Sequence, residues 1–209
     1  MTKRRYVSPQ RAAAAAETRR RIIEAATQIL REGDIAAFSL EAVGRVAGVT
    51  RLTVYNQFGS RRGLLEAVFD EIALAGGLPQ LQQAMTDPDG RAGLDRLIQI
   101  FCAFWGGNPA VGRLHDASAM DEEFAQALRA RNERRRVGIR TLIERIERSE
   151  GGSASETERN DAVDFIFALT SRAMYQSLAA GRSPAAVTKM IRQASADIID
   201  RLIARNHAD

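Results

Sequence analysis

The chain has 209 residues, 45% of them hydrophobic and 27% charged, with a net charge of +4 and an isoelectric point near 9.8. That length supports one or two domains with a sizeable core, and the basic balance suits a polyanionic partner without requiring one. No apolar run approaches the ~20 residues of a membrane-spanning helix. The first ten residues lack the apolar stretch of a secretory signal, and the single cysteine, Cys102, allows no intrachain disulfide. A cytoplasmic protein with no membrane partner is the expectation.

The first segment is basic, with Lys3, Arg4, Arg5, Arg11, Arg19, Arg20 and Arg21 set against Glu17. Such a run is either a solvated arm or one that touches phosphates or enters a minor groove. Ser8-Pro9 reads as an N-cap followed by proline at the first helical position, and Ala12 to Ala16 have high helix propensity. A first helix beginning near Pro9 is predicted, with a buried stripe of Ile22, Ala25, Ala26, Ile29 and Leu30 and an end at Gly33.

Ser39 to Leu65 packs two short helices and a tight turn into few residues. Leu40, Val43, Val46 and Ala47 recur at helical spacing, Ser39 is placed to cap them, and Gly48 suits a left-handed stop. Thr50 then caps a second helix, Arg51 to Phe58, that buries Val54 and Phe58. It turns Arg51, Thr53, Tyr55, Asn56 and Gln57 to other faces. Two helices joined by a glycine-containing turn form a helix-turn-helix, whose second helix can lie in a DNA major groove. A further amphipathic helix is predicted from Arg61 to Ala75, stopping at Gly76-Gly77. Arg61 and Arg62 at its N-terminus oppose the helix dipole, which a nearby phosphate would answer.

The run A-G-V-T-x-x-T-V-Y-x-x-F-x-S-R, from Ala47 to Arg61, resembles the DNA-binding signature of the TetR family of bacterial transcriptional regulators. The likeness extends upstream through TRRRIIEAA, from Thr18 to Ala26, and downstream through Leu64 and Leu65, about the first third of the chain. Leu52 departs from a frequent glycine or proline, Gln57 from a histidine or aromatic residue, and Arg61 from lysine. The resemblance implies an all-α chain. An N-terminal three-helix helix-turn-helix DNA-binding domain would precede a C-terminal helical ligand-binding and dimerisation domain. Arg51, Leu52 and Thr53 would approach base edges, Arg51 pairing with a guanine and Leu52 touching a thymine methyl. Ser39, Thr50, Tyr55, Gln57 and Arg61 would contact phosphates and set register, with Asn56 on the same DNA-facing helix.

From Leu78 to Gly90 two prolines and no clear period suggest a loop, so the division falls at residues 1–77 and 78–209. The second segment reads as helical throughout. Leu94, Leu97, Ile98, Phe101 and Trp105 mark one helix, and Asn108-Pro109 starts a short one. Asp121 caps a long helix striped by Phe124, Leu128, Ile139, Leu142, Ile143 and Ile146, whose middle, Arg129 to Arg136, is strongly charged. Ser155-x-x-Glu158 is a capping box opening one helix that runs through Leu178 to Gly181. Ser183-Pro184 opens the last. These final two helices are apolar over a wide arc, through Phe165, Ile166, Phe167 and Leu169, and such a helix is buried on more than one side. A homodimer is the expectation, and the family resemblance implies a four-helix interface between the copies.

His115, His207 and Cys102 have no metal-ligand spacing. Asp121, Glu122 and Glu123 sit where a helix dipole wants acids, and no phosphate-loop, dinucleotide or nucleophile-elbow motif occurs. No metal, cofactor or catalytic residue is expected. Phe101, Trp105, His115, Phe124, Phe167, Arg172 and Tyr175 are candidate effector-pocket residues, since pockets are mainly apolar with a few polar anchors. The partners implied are a double-stranded DNA operator, a small and largely apolar effector, and a second copy of the chain. The regulator would be a repressor, binding a palindrome and released by the effector. The alternatives are an architectural DNA-binding protein without a ligand, or a helical ligand-binding protein with a protein partner.

Overall fold

Local helix signals account for nearly every element of the computed structural model, which describes residues 9–32, 37–119, 121–152 and 154–205. Among the described residues there are helices and no strand: α1 (Pro9–Glu32), α2 (Leu40–Ala47), α3 (Arg51–Phe58), α4 (Arg61–Ala75), a 3-10 turn (Leu78–Gln80), α5 (Leu81–Thr86), α6 (Gly90–Gly107), α7 (Pro109–Ser118), α8 (Glu122–Glu150), α9 (Glu156–Leu169), α10 (Arg172–Ala179) and α11 (Pro184–Arg205). The basic run Lys3 to Arg5, the predicted stop at Gly33, and His207 lie outside the described residues. None of the described helices is long and apolar enough to cross a membrane.

The chain forms two compact units, Met1–Glu71 with Pro109–Ala125, and Ile72–Asn108 with Gln126–Asp209. The division is not a single cut. α7 packs on α1, so a segment that follows α6 in sequence joins the N-terminal helices. Ala110, Val111, Leu114 and Ala117 recur at helical spacing on α7 and are all buried. The second unit has one continuous apolar core. Leu97, Ile98 and Phe101 of α6, Ile139, Leu142 and Ile143 of α8, Val163 and Ile166 of α9, and Val187 and Ile191 of α11 meet in it.

Two local readings are corrected. The stretch read as a loop contains the 3-10 turn and α5, too short to show a period. α5 is held because Ala84 is fully buried and Arg145 donates to the carbonyls of Met85, at 2.9 Å, and Asp87. The helix read from Ser155 to Leu178 is two helices. Thr170 Oγ1 donates back to the Ile166 carbonyl at 2.8 Å, and the Thr170 carbonyl is taken by Trp105 Nε1 and by Arg135, each at 2.8 Å. It cannot then accept from Met174, whose N–H goes instead to Ser171 Oγ at 3.2 Å and starts α10. Within the charged middle of α8, Arg135 is 7% exposed.

Candidate nucleic-acid interface

The turn between α2 and α3 is built by caps. Ser39 is extended (φ −144°, ψ 160°) and its hydroxyl accepts from the Ala42 N–H at 3.1 Å. Thr50 (φ −75°, ψ 156°) does the same for Thr53 at 3.1 Å, with its hydroxyl 2.9 Å from that of Thr53. Both oxygens answer N–H groups that a helix start leaves unbonded. Gly48 ends α2 in the left-handed region (φ 67°), and the Val49 N–H returns to the Gly44 carbonyl at 2.9 Å. Gly44 is required for a different reason: a Cβ there would stand 2.9 Å from the Val49 carbonyl oxygen and 3.3 Å from the Thr50 carbonyl carbon. The absent side chain is what lets the turn fold back onto α2.

α3 is thereby held with one face in and one out. Val54 is fully buried and Phe58 half-buried, while Arg51, Leu52, Tyr55 and Asn56 are exposed, Leu52 by 65% and Tyr55 by 51%. Positions i, i+1, i+4 and i+5 share one side of a helix, so these four form a continuous solvent-facing strip. Thr53 and Gln57 flank it half-buried. The last turn of α3 is tied to α1, where the Arg19 guanidinium lies 4.5 Å from the Phe58 ring centroid and donates to the Gln57 carbonyl at 3.3 Å. Val46, grouped with the buried stripe of α2 by its spacing, is 49% exposed. Val43 and Ala47 make the seam, and α2 is too short to bury a third column.

The arginines at the start of α4 have protein partners. Arg61 Nε donates to the Phe38 carbonyl at 3.2 Å, its Nη1 reaches Asp121 Oδ2 at 3.4 Å, and its guanidinium stands over the Phe38 ring. Arg62 pairs with Glu66 at 2.6 Å and Glu123 at 3.4 Å, which holds its pKa above the ordinary arginine value, the Glu66 bond being the larger cause. Asp121 also caps α8 through the Phe124 N–H at 2.9 Å. Sequence reasoning found the Asp121 cap but missed its pairing with Arg61, because no local pattern links residues 60 positions apart.

The expected effector-pocket residues separate between the units. His115 and fully buried Phe124 fall in the first. Phe101, Trp105, Phe167, Arg172 and Tyr175 fall in the second. There the Arg135 guanidinium lies between the rings of Phe101 and Phe167, at 5.1 and 4.2 Å. Trp105 stacks at 6.2 Å on Phe101 and meets Phe104 at 4.8 Å. Tyr175 is buried, which pushes its hydroxyl pKa up. A cavity of about 410 Å³ opens in the same unit, lined by Ile72, Ala75, Gly76, Gln80, Ala103 and Phe104 among others. None of the expected pocket residues lines it. Among the described residues no group of acidic, histidine and cysteine side chains could hold a metal ion.

Known proteins agree with this arrangement. Residues 22–68 match the model of the bacterial regulatory proteins of the tetR family. The HTH-type transcriptional regulator AlkX of Mycobacterium tuberculosis is 31% identical over 102 residues, 49% of this chain and 47% of AlkX, so the match spans about half of that relative. A TetR transcription regulator from Haloarcula marismortui superposes with a TM-score of 0.70 at 15% identity, over 90% of this chain and 99% of that one. The TetR-like regulator LfrR from Mycobacterium smegmatis, solved in complex with proflavine, does so with a TM-score of 0.55 at 22% identity, over 88% and 96% of the two chains. A signature read from residues, a helix-turn-helix with both helices capped and an all-helical fold shared with these regulators converge: residues 22–68 carry the DNA-binding domain of the tetR family of bacterial regulatory proteins, within a chain that has the fold of TetR-type regulators.

Proposed function

We propose that this protein is a transcriptional repressor that binds a palindromic DNA operator as a homodimer and is released by a small effector held in its second unit. The observation that carries the DNA-binding reading is the exposed strip Arg51, Leu52, Tyr55 and Asn56 on a helix capped at its start and packed through Val54. An exposed leucine beside an arginine has no folding role there. It suits a major groove, where leucine meets a thymine methyl and arginine a guanine edge. Thr53 reads at the margin of the strip, and Ser39, Thr50, Tyr55 and Gln57 contact phosphates. Arg61 serves the fold of the first unit through Phe38 and Asp121 rather than the DNA backbone.

Dimerisation is supported by large apolar side chains left in solvent on the second unit. Phe165 of α9 is 63% exposed, Val137 of α8 55% and Met190 of α11 41%. A symmetric operator needs two recognition helices about 34–36 Å apart, which a second copy supplies. Effector release is supported by the 410 Å³ cavity beside the last turn of α4, since α4 follows the DNA-reading helix after two residues. LfrR, of the same fold, holds proflavine. An effector that binds the DNA-free form more tightly shifts the equilibrium away from DNA. A coupling of about 1–3 kcal/mol weakens operator binding about 5–150-fold, and operator weakens effector binding by the same factor.

The test is footprinting on selected duplexes, then titration of compounds that raise the melting temperature, with and without operator. A protected palindrome and reciprocal weakening are expected. Bending of DNA without sequence selection would favour an architectural protein. Saturable ligands whose affinity ignores operator would reduce the second unit to dimerisation.

A further inference from the structure

Arg135 is a cation in the wrong place for folding alone. It is 7% exposed, in the middle of α8. Its one hydrogen-bond acceptor among the described residues is the Thr170 carbonyl at 2.8 Å, and its buried Nε has none. No carboxylate pairs with it among the described residues. The neighbouring Arg136, by contrast, holds both Asp164 and Glu133. Burial, and secondarily the neighbouring Arg136 charge, pulls the guanidinium pKa down to about 10, so it remains charged near neutrality. A buried unpaired charge is strongly unfavourable.

The contacts it does make do not account for it. The Thr170 carbonyl already accepts from Trp105 Nε1 at 2.8 Å, so the end of α9 is capped without Arg135. The Phe101 and Phe167 rings stabilise a cation by their faces but leave its N–H edge unanswered. A leucine or methionine would fill the same position of the α8 stripe, seven residues after Leu128 and four before Ile139, without the penalty. Trp105 and Phe167 are only half-buried, so the cluster is reached from the surface.

We propose that Arg135 is an anion anchor: the effector of this protein carries a carboxylate or similar acidic group that pairs with the Arg135 guanidinium, while its apolar body lies against Trp105 and Phe167. This rests on the reading that the second unit holds an effector, but seats it at the Arg135 cluster rather than in the 410 Å³ cavity, which Arg135, Trp105 and Phe167 do not line, and it narrows the class of compound from largely apolar to apolar with an acidic head.

The experiment uses the full chain and three pairs of matched probes: decanoate with decanol, 1-naphthoate with 1-naphthalenemethanol, and benzoate with benzyl alcohol. Binding is followed by calorimetry and melting temperature, in the wild type, Arg135→Met and Arg135→Lys. At least one carboxylate should bind the wild type about 10- to 100-fold more tightly than its alcohol. Arg135→Met should abolish that preference and Arg135→Lys should keep part of it, so the lysine variant decides if the methionine variant does not fold. Equal binding within every pair, or a preference that survives in Arg135→Met, overturns the proposal. Loss of the dimer in Arg135→Met without any carboxylate preference also overturns it, because the counter-ion is then a carboxylate of a second copy. Alcohols that bind and weaken operator affinity with no carboxylate advantage refute the anchor while leaving effector release standing. If no probe binds, the anchor falls, and a wider compound screen against operator DNA judges effector release separately.

Discussion

Arg51 and Arg61 are ten residues apart, and the same side chain serves opposite ends. Arg51 is exposed at the first position of α3, whereas the Arg61 guanidinium is turned to Phe38 and Asp121. Arg51→Ala should therefore lose discrimination at one symmetric base position, by about 1–3 kcal/mol per half-site, with an unchanged melting temperature. Arg61→Ala should lower the melting temperature by the loss of a bond to a charged donor, about 1–2 kcal/mol, and leave the salt dependence of DNA binding nearly unchanged. Competition binding against random duplex and a thermal melt on each variant check both. A flattened salt slope in Arg61→Ala would return Arg61 to the phosphate backbone. The exposed strip was legible because helical periodicity assigns faces. The fate of Arg61 was not, since its partner Asp121 is brought near only by the packing of α7 on α1.

Among the elements, the break between α9 and α10 is the one decided from outside its own segment. Helical propensity continues through Thr170 and Ser171, and nothing local demands an interruption. The interruption follows from two donors, Trp105 of α6 and Arg135 of α8, taking the carbonyl that the next turn would need. Ser171 then acts as the cap of α10. Ser171→Ala should cost about 1 kcal/mol, or about 2–4 °C in melting temperature for a chain of this size. The break itself should survive, because the Thr170 carbonyl stays occupied. A helix content by circular dichroism that rises in Ser171→Ala would show instead that the serine alone separates the helices. α5 is the converse case, a six-residue helix whose pattern is too short to read and whose register is set by buried Ala84 and by Arg145.

For the whole molecule, the proposed dimer is best tested where a charge does no harm to the single chain. Leu202 is a poor choice, being 7% exposed within the core of the second unit. Phe165 is 63% exposed, so Phe165→Asp should leave the fold and its melting of the isolated chain intact. In a dimer closed by that face it buries an unpaired charge, at several kcal/mol. Sedimentation should then find a folded monomer that binds operator weakly. A Phe165→Asp protein that remains dimeric at micromolar concentration would move the interface to another face.

Sequence alone determined the helices that carry their own signals. The capping residues Ser39, Thr50 and Ser155, the left-handed Gly48, and the apolar stripes of α1, α4, α6 and α11 are local features, and local physics is complete within a few turns. It also determined which side of α3 faces solvent, and hence the candidate DNA-reading residues. Tertiary structure alone decided the grouping of α7 with the N-terminal helices, the partners of Arg61 and Arg62, and the division of α9 from α10. It also decided the burial of Arg135, within a run that reads as strongly charged. Each of these involves groups far apart in sequence, at separations of 35 for Arg135 and Thr170, 60 for Arg61 and Asp121, 61 for Arg62 and Glu123, and 65 for Trp105 and Thr170. A charged side chain has no periodic signature that distinguishes a solvated face from a buried one, because only its packed neighbours set what the charge costs.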